Sequence, residues 1–73
     1  MAFTYKPLWK LLIDKEMTKK ALMDLTGISK STMDKMGRGE LVSMEILNRI
    51  CEKMNCNIED VISYYREEDR DEN

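Results

Sequence analysis

The sequence predicts an all-α domain of about five short helices. Three observations lead there. Apolar residues recur at spacings of three and four along most of the chain, which lines one face of a helix. Thr18, Ser29, Ser43 and Asn57 each stand before such a run, where a short polar side chain can cap a helix start. No segment alternates with period two for long enough to form a strand. Seventy-three residues suit one small domain with one modest core. That domain is expected over residues 1–65, followed by a charged, flexible tail over 66–73 with five acids and two arginines.

The first helix is expected to follow Pro7, a residue suited to an early helical position because it lacks an N–H. Leu8, Leu11, Leu12 and Lys15 keep its inner spacing, and Trp9 and Ile13 form a second pair on the flank. Thr18 caps a second helix that reaches Thr26, with Leu22, Leu25 and Thr26 as its inner stripe. Gly27 stops it in the left-handed conformation that glycine adopts cheaply. Ser29 restarts the chain into a third helix, Lys30 to about Met36, that buries Met33 and Met36 with Ile28 at its entrance. Gly37 and Gly39 flank Arg38 and end it. Ser43 caps a fourth helix on which Met44, Leu47, Ile50, Cys51 and Met54 share a face, and Glu45 favours its dipole. Asn57 caps a fifth, with Ile58, Val61, Ile62 and Tyr65 inward.

Composition excludes several classes. Histidine is absent, which removes the usual general base and the commonest metal ligand. No constellation of carboxylates suggests an acid–base pair, so no catalytic residues and no enzyme are expected. Cys51 and Cys56 lack the further ligands zinc needs. They read as a core residue and a helix-end residue, and no metal or cofactor is expected. The longest apolar run is Leu11-Leu12-Ile13, so neither a membrane span nor a signal peptide is expected. Two cysteines in such a chain suit a reducing, cytoplasmic setting. The net charge of −2 hides a polarity: residues 1–42 hold eight Lys and Arg against five Asp and Glu, and residues 43–73 hold four against nine.

The informative stretch is 18–39, TKKALMDLTGISKSTMDKMGRG. Two short helices joined by a turn at Gly27-Ile28-Ser29 make the helix-turn-helix arrangement, whose second helix can enter a DNA major groove. With Met33 and Met36 inward, the opposite side of the third helix collects Ser31, Asp34, Lys35 and Arg38, flanked by Lys30 and Thr32. Lys35 can donate to guanine or phosphate, and Ser31 and Thr32 can serve base edges or phosphates. Lys19 and Lys20 stand at the start of the second helix, where free N–H groups favour a phosphate. The same pattern also describes an ordinary solvated helix face in a bundle.

The chain resembles the phage-repressor and Cro-like (XRE-type) helix-turn-helix family from about Leu8 to Tyr65. The shared positions include Leu12, Thr18, Leu22, Gly27, the run Ile28 to Met33, Gly39, Leu47 and Asp60-Val61-Ile62. The segment Leu47 to Cys56 resembles a compact bacterial subgroup with an Ile-Cys…Asn-Cys fourth helix. The resemblance implies a five-helix, lambda-repressor-like fold and sequence-specific binding of duplex DNA by the third helix. It puts Lys30 and Ser31 at base-reading positions, Thr32 and Lys35 near backbone or bases, and Lys19 and Arg38 near phosphates. Base readout is therefore assigned to Lys30, Ser31 and Lys35, and backbone contact to Lys19, Lys20, Thr32 and Arg38. Three departures stand out. Met23 replaces a usual alanine, Lys30 and Ser31 replace frequent glutamines, and Glu40 stands where relatives often carry a cation.

The expected function is that of a transcriptional regulator. One module covers only roughly 600–1,000 Å² of its surface on DNA. A homodimer on a pseudopalindromic site is therefore expected, with half-sites about one helical turn apart. Trp9, Ile13 and Tyr64 are candidates for its dimer or partner surface. Alternatively Trp9 and Ile13, with Phe3 and Tyr5, cover the core. The rival function is a helical protein-interaction module, adaptor or antitoxin-like, that keeps the fold without reading DNA.

Overall fold

A computed structural model describes residues 2–66. The order of elements is β1 (Ala2–Thr4), α1 (Lys6–Asp14), α2 (Lys19–Thr26), α3 (Lys30–Gly37), α4 (Met44–Met54), a single 3-10 turn (Ile58–Asp60) and β2 (Ser63–Tyr65). Among the described residues, four α-helices form in place of the five expected, and a small sheet forms in place of none. The tail expected to be flexible lies, apart from Arg66, outside the described residues.

The helix boundaries follow the capping chemistry. Thr18, Ser29 and Ser43 all adopt extended backbone, and each side-chain oxygen accepts from the N–H three residues on, at 3.0, 3.2 and 3.3 Å. Each cap of this kind is worth about 1 kcal/mol. Gly27 takes φ +78° and closes α2 through its N–H to the Met23 carbonyl. Asn55 closes α4 in the same left-handed region. Helix α1 starts earlier than expected, at Lys6, with Pro7 in its first turn.

The core lies between the helices. Leu8 and Leu12 of α1, Leu22 of α2, Ile28 of the turn, Met33 and Met36 of α3, and Leu47, Ile50 and Met54 of α4 are buried together. Met23, the bulkier residue beside the motif, is half-buried against them and fills space there, as a flexible side chain can. Leu25 departs from the expected stripe and is 44% exposed. The inner face of α2 runs through Leu22 and Thr26, one turn apart, which turns position 25 toward solvent. Thr26 is buried without cost, because its hydroxyl donates to the Leu22 carbonyl at 2.7 Å.

The expected fifth helix stops after one turn. Asn57 does start it, with the Asp60 carboxylate accepting from the Asn57 N–H at 3.0 Å. The next residues are Val61-Ile62-Ser63-Tyr64-Tyr65, and β-branched and aromatic residues fit a pleated surface better than a helix. Their partner is β1: Ala2 pairs with Tyr65, Phe3 with Tyr64 and Thr4 with Ser63, antiparallel. The Phe3 and Tyr64 rings meet edge-on at 5.0 Å across the strands. Val61 is buried as expected, whereas Ile58 is exposed and Tyr65 half-buried.

A three-residue ribbon is marginal by itself. It is anchored by Tyr5, which is buried in the core and donates its hydroxyl to the Glu40 carbonyl at 2.9 Å. Burial pushes the Tyr5 phenol above its ordinary pKa. Cys51 and Cys56 are free and half-buried at the end of α4, where the Cys56 N–H donates to the Cys51 carbonyl at 3.1 Å. Burial first, and Cys51 and Asp60 second, raise the Cys56 thiol pKa. Among the described residues, no helix is long and apolar enough to cross a membrane.

Candidate nucleic-acid interface

The face of α3 opposite the core is built by its own periodicity. Met33 and Met36 are anchored inward, which forces Ser31, Asp34, Lys35 and Arg38 outward. All four are exposed, as is Lys30, and Thr32 is half-buried. The α2–α3 turn sets the angle of this face. Gly27 reverses the backbone, buried Ile28 pins it to the core, and Ser29 starts α3 at once. The Ile28 N–H also donates to Thr26 Oγ1 at 3.4 Å, tying the turn back to α2.

At the start of α3 three hydroxyls cluster. Ser29 Oγ caps the Thr32 N–H and lies 3.1 Å from Thr32 Oγ1 and 3.2 Å from Ser31 Oγ. Ser31 is the exposed member that can turn outward, while Thr32 is held closer to the body of the domain.

The expected cations differ in how free they are. Lys30 is paired with Asp34 at 3.2 Å, Lys20 with Asp24 at 3.4 Å, and Arg38 with Glu40 at 2.7 Å. Lys19 and Lys35 carry no ion pair among the described residues. Pairing leaves a mark on Arg38 and Glu40: their hydrogen bond raises the guanidinium pKa and holds the carboxyl below the usual range. All of these pairs are exposed, so each is weak and exchangeable.

Lys19 has a different neighbourhood from the rest. Its ammonium sits 4.6 Å from the centroid of the Trp9 ring, on α1. The sequence offers Trp9 only as core cover or partner surface, and it gives no sign of this contact. Trp9 itself is half-buried, edge-on to Tyr5 at a centroid distance of 6.3 Å. Ile13, 75% exposed, and Tyr64, against Phe3, remain open to solvent. The sequence also places Asp34 on the outer face without giving it a role, and there it is the carboxylate that engages Lys30.

Away from α3, Phe3, Leu41, Val42, Met44, Leu47, Ile58 and Ile62 line an apolar groove of about 360 Å³. Met44 is expected on the inner face of α4, but it occupies the first helical position and lines this groove, largely exposed.

Comparison with known proteins fits this geometry. The crystal structure of the transcriptional regulator VanUg superposes with a TM-score of 0.85 at 45% sequence identity, covering 90% of this chain and 88% of that one. No curated protein sequence matches. A model of the Cro/C1-type helix-turn-helix DNA-binding domain matches residues 7–67, a span that takes in nearly all of the four helices and the exposed face of α3. With the helix-turn-helix, its caps and that match together, the chain belongs to the family of Cro/C1-type helix-turn-helix DNA-binding domains.

Proposed function

We propose that this chain is a transcriptional regulator that reads duplex DNA with α3 in the major groove. The observation that carries this is the outer face of α3, where Ser31, Asp34 and Lys35, with Arg38 just beyond its end, stand exposed on a helix locked to the core by Met33 and Met36. Lys30, Ser31 and Lys35 read base edges; Lys19, Lys20, Thr32 and Arg38 hold the backbone. Lys35 and Lys19 meet DNA without first leaving a carboxylate. Lys20, Lys30 and Arg38 exchange a carboxylate for a phosphate or base. The similarity to VanUg, itself a transcriptional regulator, supports the regulatory role. Two free thiols suit work in the reducing cytoplasm.

Selection of bound sites from random duplexes tests the reading. An enriched sequence is expected, with Ser31→Ala relaxing preference at one position more than it lowers affinity. No enrichment, or an unchanged profile for the variant, refutes sequence reading or the role of Ser31 respectively.

The active species in this proposal is a homodimer on a pseudopalindrome. The small footprint of one module supports this. So does the exposed apolar surface at Phe3, Tyr64, Leu41 and Met44, with Ile13 and the half-buried Trp9 as further candidate contacts. Sedimentation of the complex on a selected site is expected to give two chains per duplex. One chain per site contradicts the dimer.

A further inference from the structure

We infer that Trp9 is a positioning residue for Lys19. Its ring holds the ammonium in a seat between α1 and the end of α3, from which Lys19 grips a DNA phosphate. This rests on the phosphate role proposed for Lys19. Four observations place the seat. The ammonium lies 4.6 Å from the Trp9 ring centroid, within range of attraction by the negative face of an indole. Trp9 is itself held edge-on by Tyr5, whose ring is buried and whose hydroxyl is bonded to the Glu40 carbonyl, so the platform is fixed. A Cβ built on Gly37, the last residue of α3, would lie 3.6 Å from Lys19 Nζ, so the ammonium also rests against the end of the reading helix. Trp9 and Gly37 line one surface cleft of about 420 Å³, which brings α1 and α3 together there.

The chemistry distinguishes Lys19 from its neighbours. Lys20, Lys30 and Arg38 are held by carboxylates, which compete with phosphate for the same charge. An aromatic face orients a cation without neutralising it. Lys19 thus keeps its full charge and its free N–H donors while its long, flexible stem is confined. Confinement before binding lowers the entropy lost when the side chain is immobilised on DNA. The ring that positions Lys19 lies outside the helix-turn-helix segment, on the helix before it.

The test is a double-mutant cycle on DNA affinity using the full chain. Trp9→Leu is expected to weaken binding by about two- to five-fold, the range of an exposed cation–π contact. It is expected to have no further effect in the Lys19→Ala background. Trp9→Phe, which keeps an aromatic face, restores part of the loss. If Trp9→Leu fails to fold, Trp9→Phe and the fluorescence of Trp9, the sole tryptophan, carry the test. Lys19→Ala is expected to alter its emission in the free protein, and duplex binding to alter it only when Lys19 is present. Equal losses in both backgrounds, no loss on Trp9→Leu, or emission indifferent to Lys19 overturns the inference. If Lys19→Ala leaves affinity unchanged, the inference falls while the reading by α3 stands on its own variants. A chain that binds no duplex at all refutes the proposed function itself.

Discussion

Arg38 and Glu40 show how a single residue restrains a cation on the surface proposed to face DNA. Glu40 lies two residues beyond Arg38 and takes its guanidinium at 2.7 Å. Because Arg38 holds the Glu40 carboxyl below its usual range, the carboxylate is charged at neutral pH, and the attraction is lost as pH falls through the lowered value. Glu40→Gln removes the charge while keeping the shape. It is expected to release Arg38 from its carboxylate and raise affinity for duplex DNA, whereas Arg38→Ala is expected to make the dependence of log affinity on log salt shallower by about 0.9, one fewer phosphate neutralised. An unchanged slope in a salt titration contradicts a backbone role for Arg38. The Lys30–Asp34 pair applies the same restraint inside the reading face. A carboxylate such as Asp34 can accept from a cytosine amino group and repels phosphate.

At the scale of elements, the turn at Gly27 decides where the reading face points. Its φ of +78° costs an L-residue energy, yet nothing lies within 4 Å of where a Cβ would stand. The penalty for substitution is therefore conformational and not steric. Gly27→Val is expected to destabilise by more than about 1 kcal/mol, and Gly27→Asn by less, since asparagine tolerates the left-handed region. Thermal unfolding checks this, and equal midpoints for the two variants contradict it.

The caps at Thr18, Ser29 and Ser43, the stop at Gly27 and the inward methionines of α3 are all legible in the sequence, because each depends on residues within one helical turn. The sheet is not. Its strands are three residues long and sit at opposite ends of the described chain, so neither local periodicity nor spacing announces them. The fifth helix fails for the same reason. Asn57 and Asp60 specify a start locally, and the strand pairing of Ser63 to Tyr65 with Ala2 to Thr4 overrides its continuation. The outward set on α3 is legible from a helical wheel. Its ion pairs, and the seat of Lys19 on Trp9, depend on rotamers and on the packing of α1, which a wheel does not contain.

At the scale of the whole molecule, the charge of −2 is a difference between two unlike parts. The positive part contains the helix-turn-helix, and the negative part begins at Ser43 with α4. A net negative charge opposes general adhesion to DNA. Much of the positive charge is balanced in place by Asp24, Asp34 and Glu40, so the free chain presents a milder field than its lysine count suggests. The apolar groove from Phe3 to Ile62 lies apart from the residues of the reading face and leaves that face open for DNA.

The outer face of α3 is proposed as the DNA-reading surface. It is tested most directly by a salt titration of duplex affinity for the native chain and the Lys30→Ala/Lys35→Ala variant. The native chain is expected to lose affinity linearly in log salt, and the variant, with two cations fewer at the DNA surface, to bind more weakly with a shallower slope. The same affinity and the same slope for both would contradict the claim.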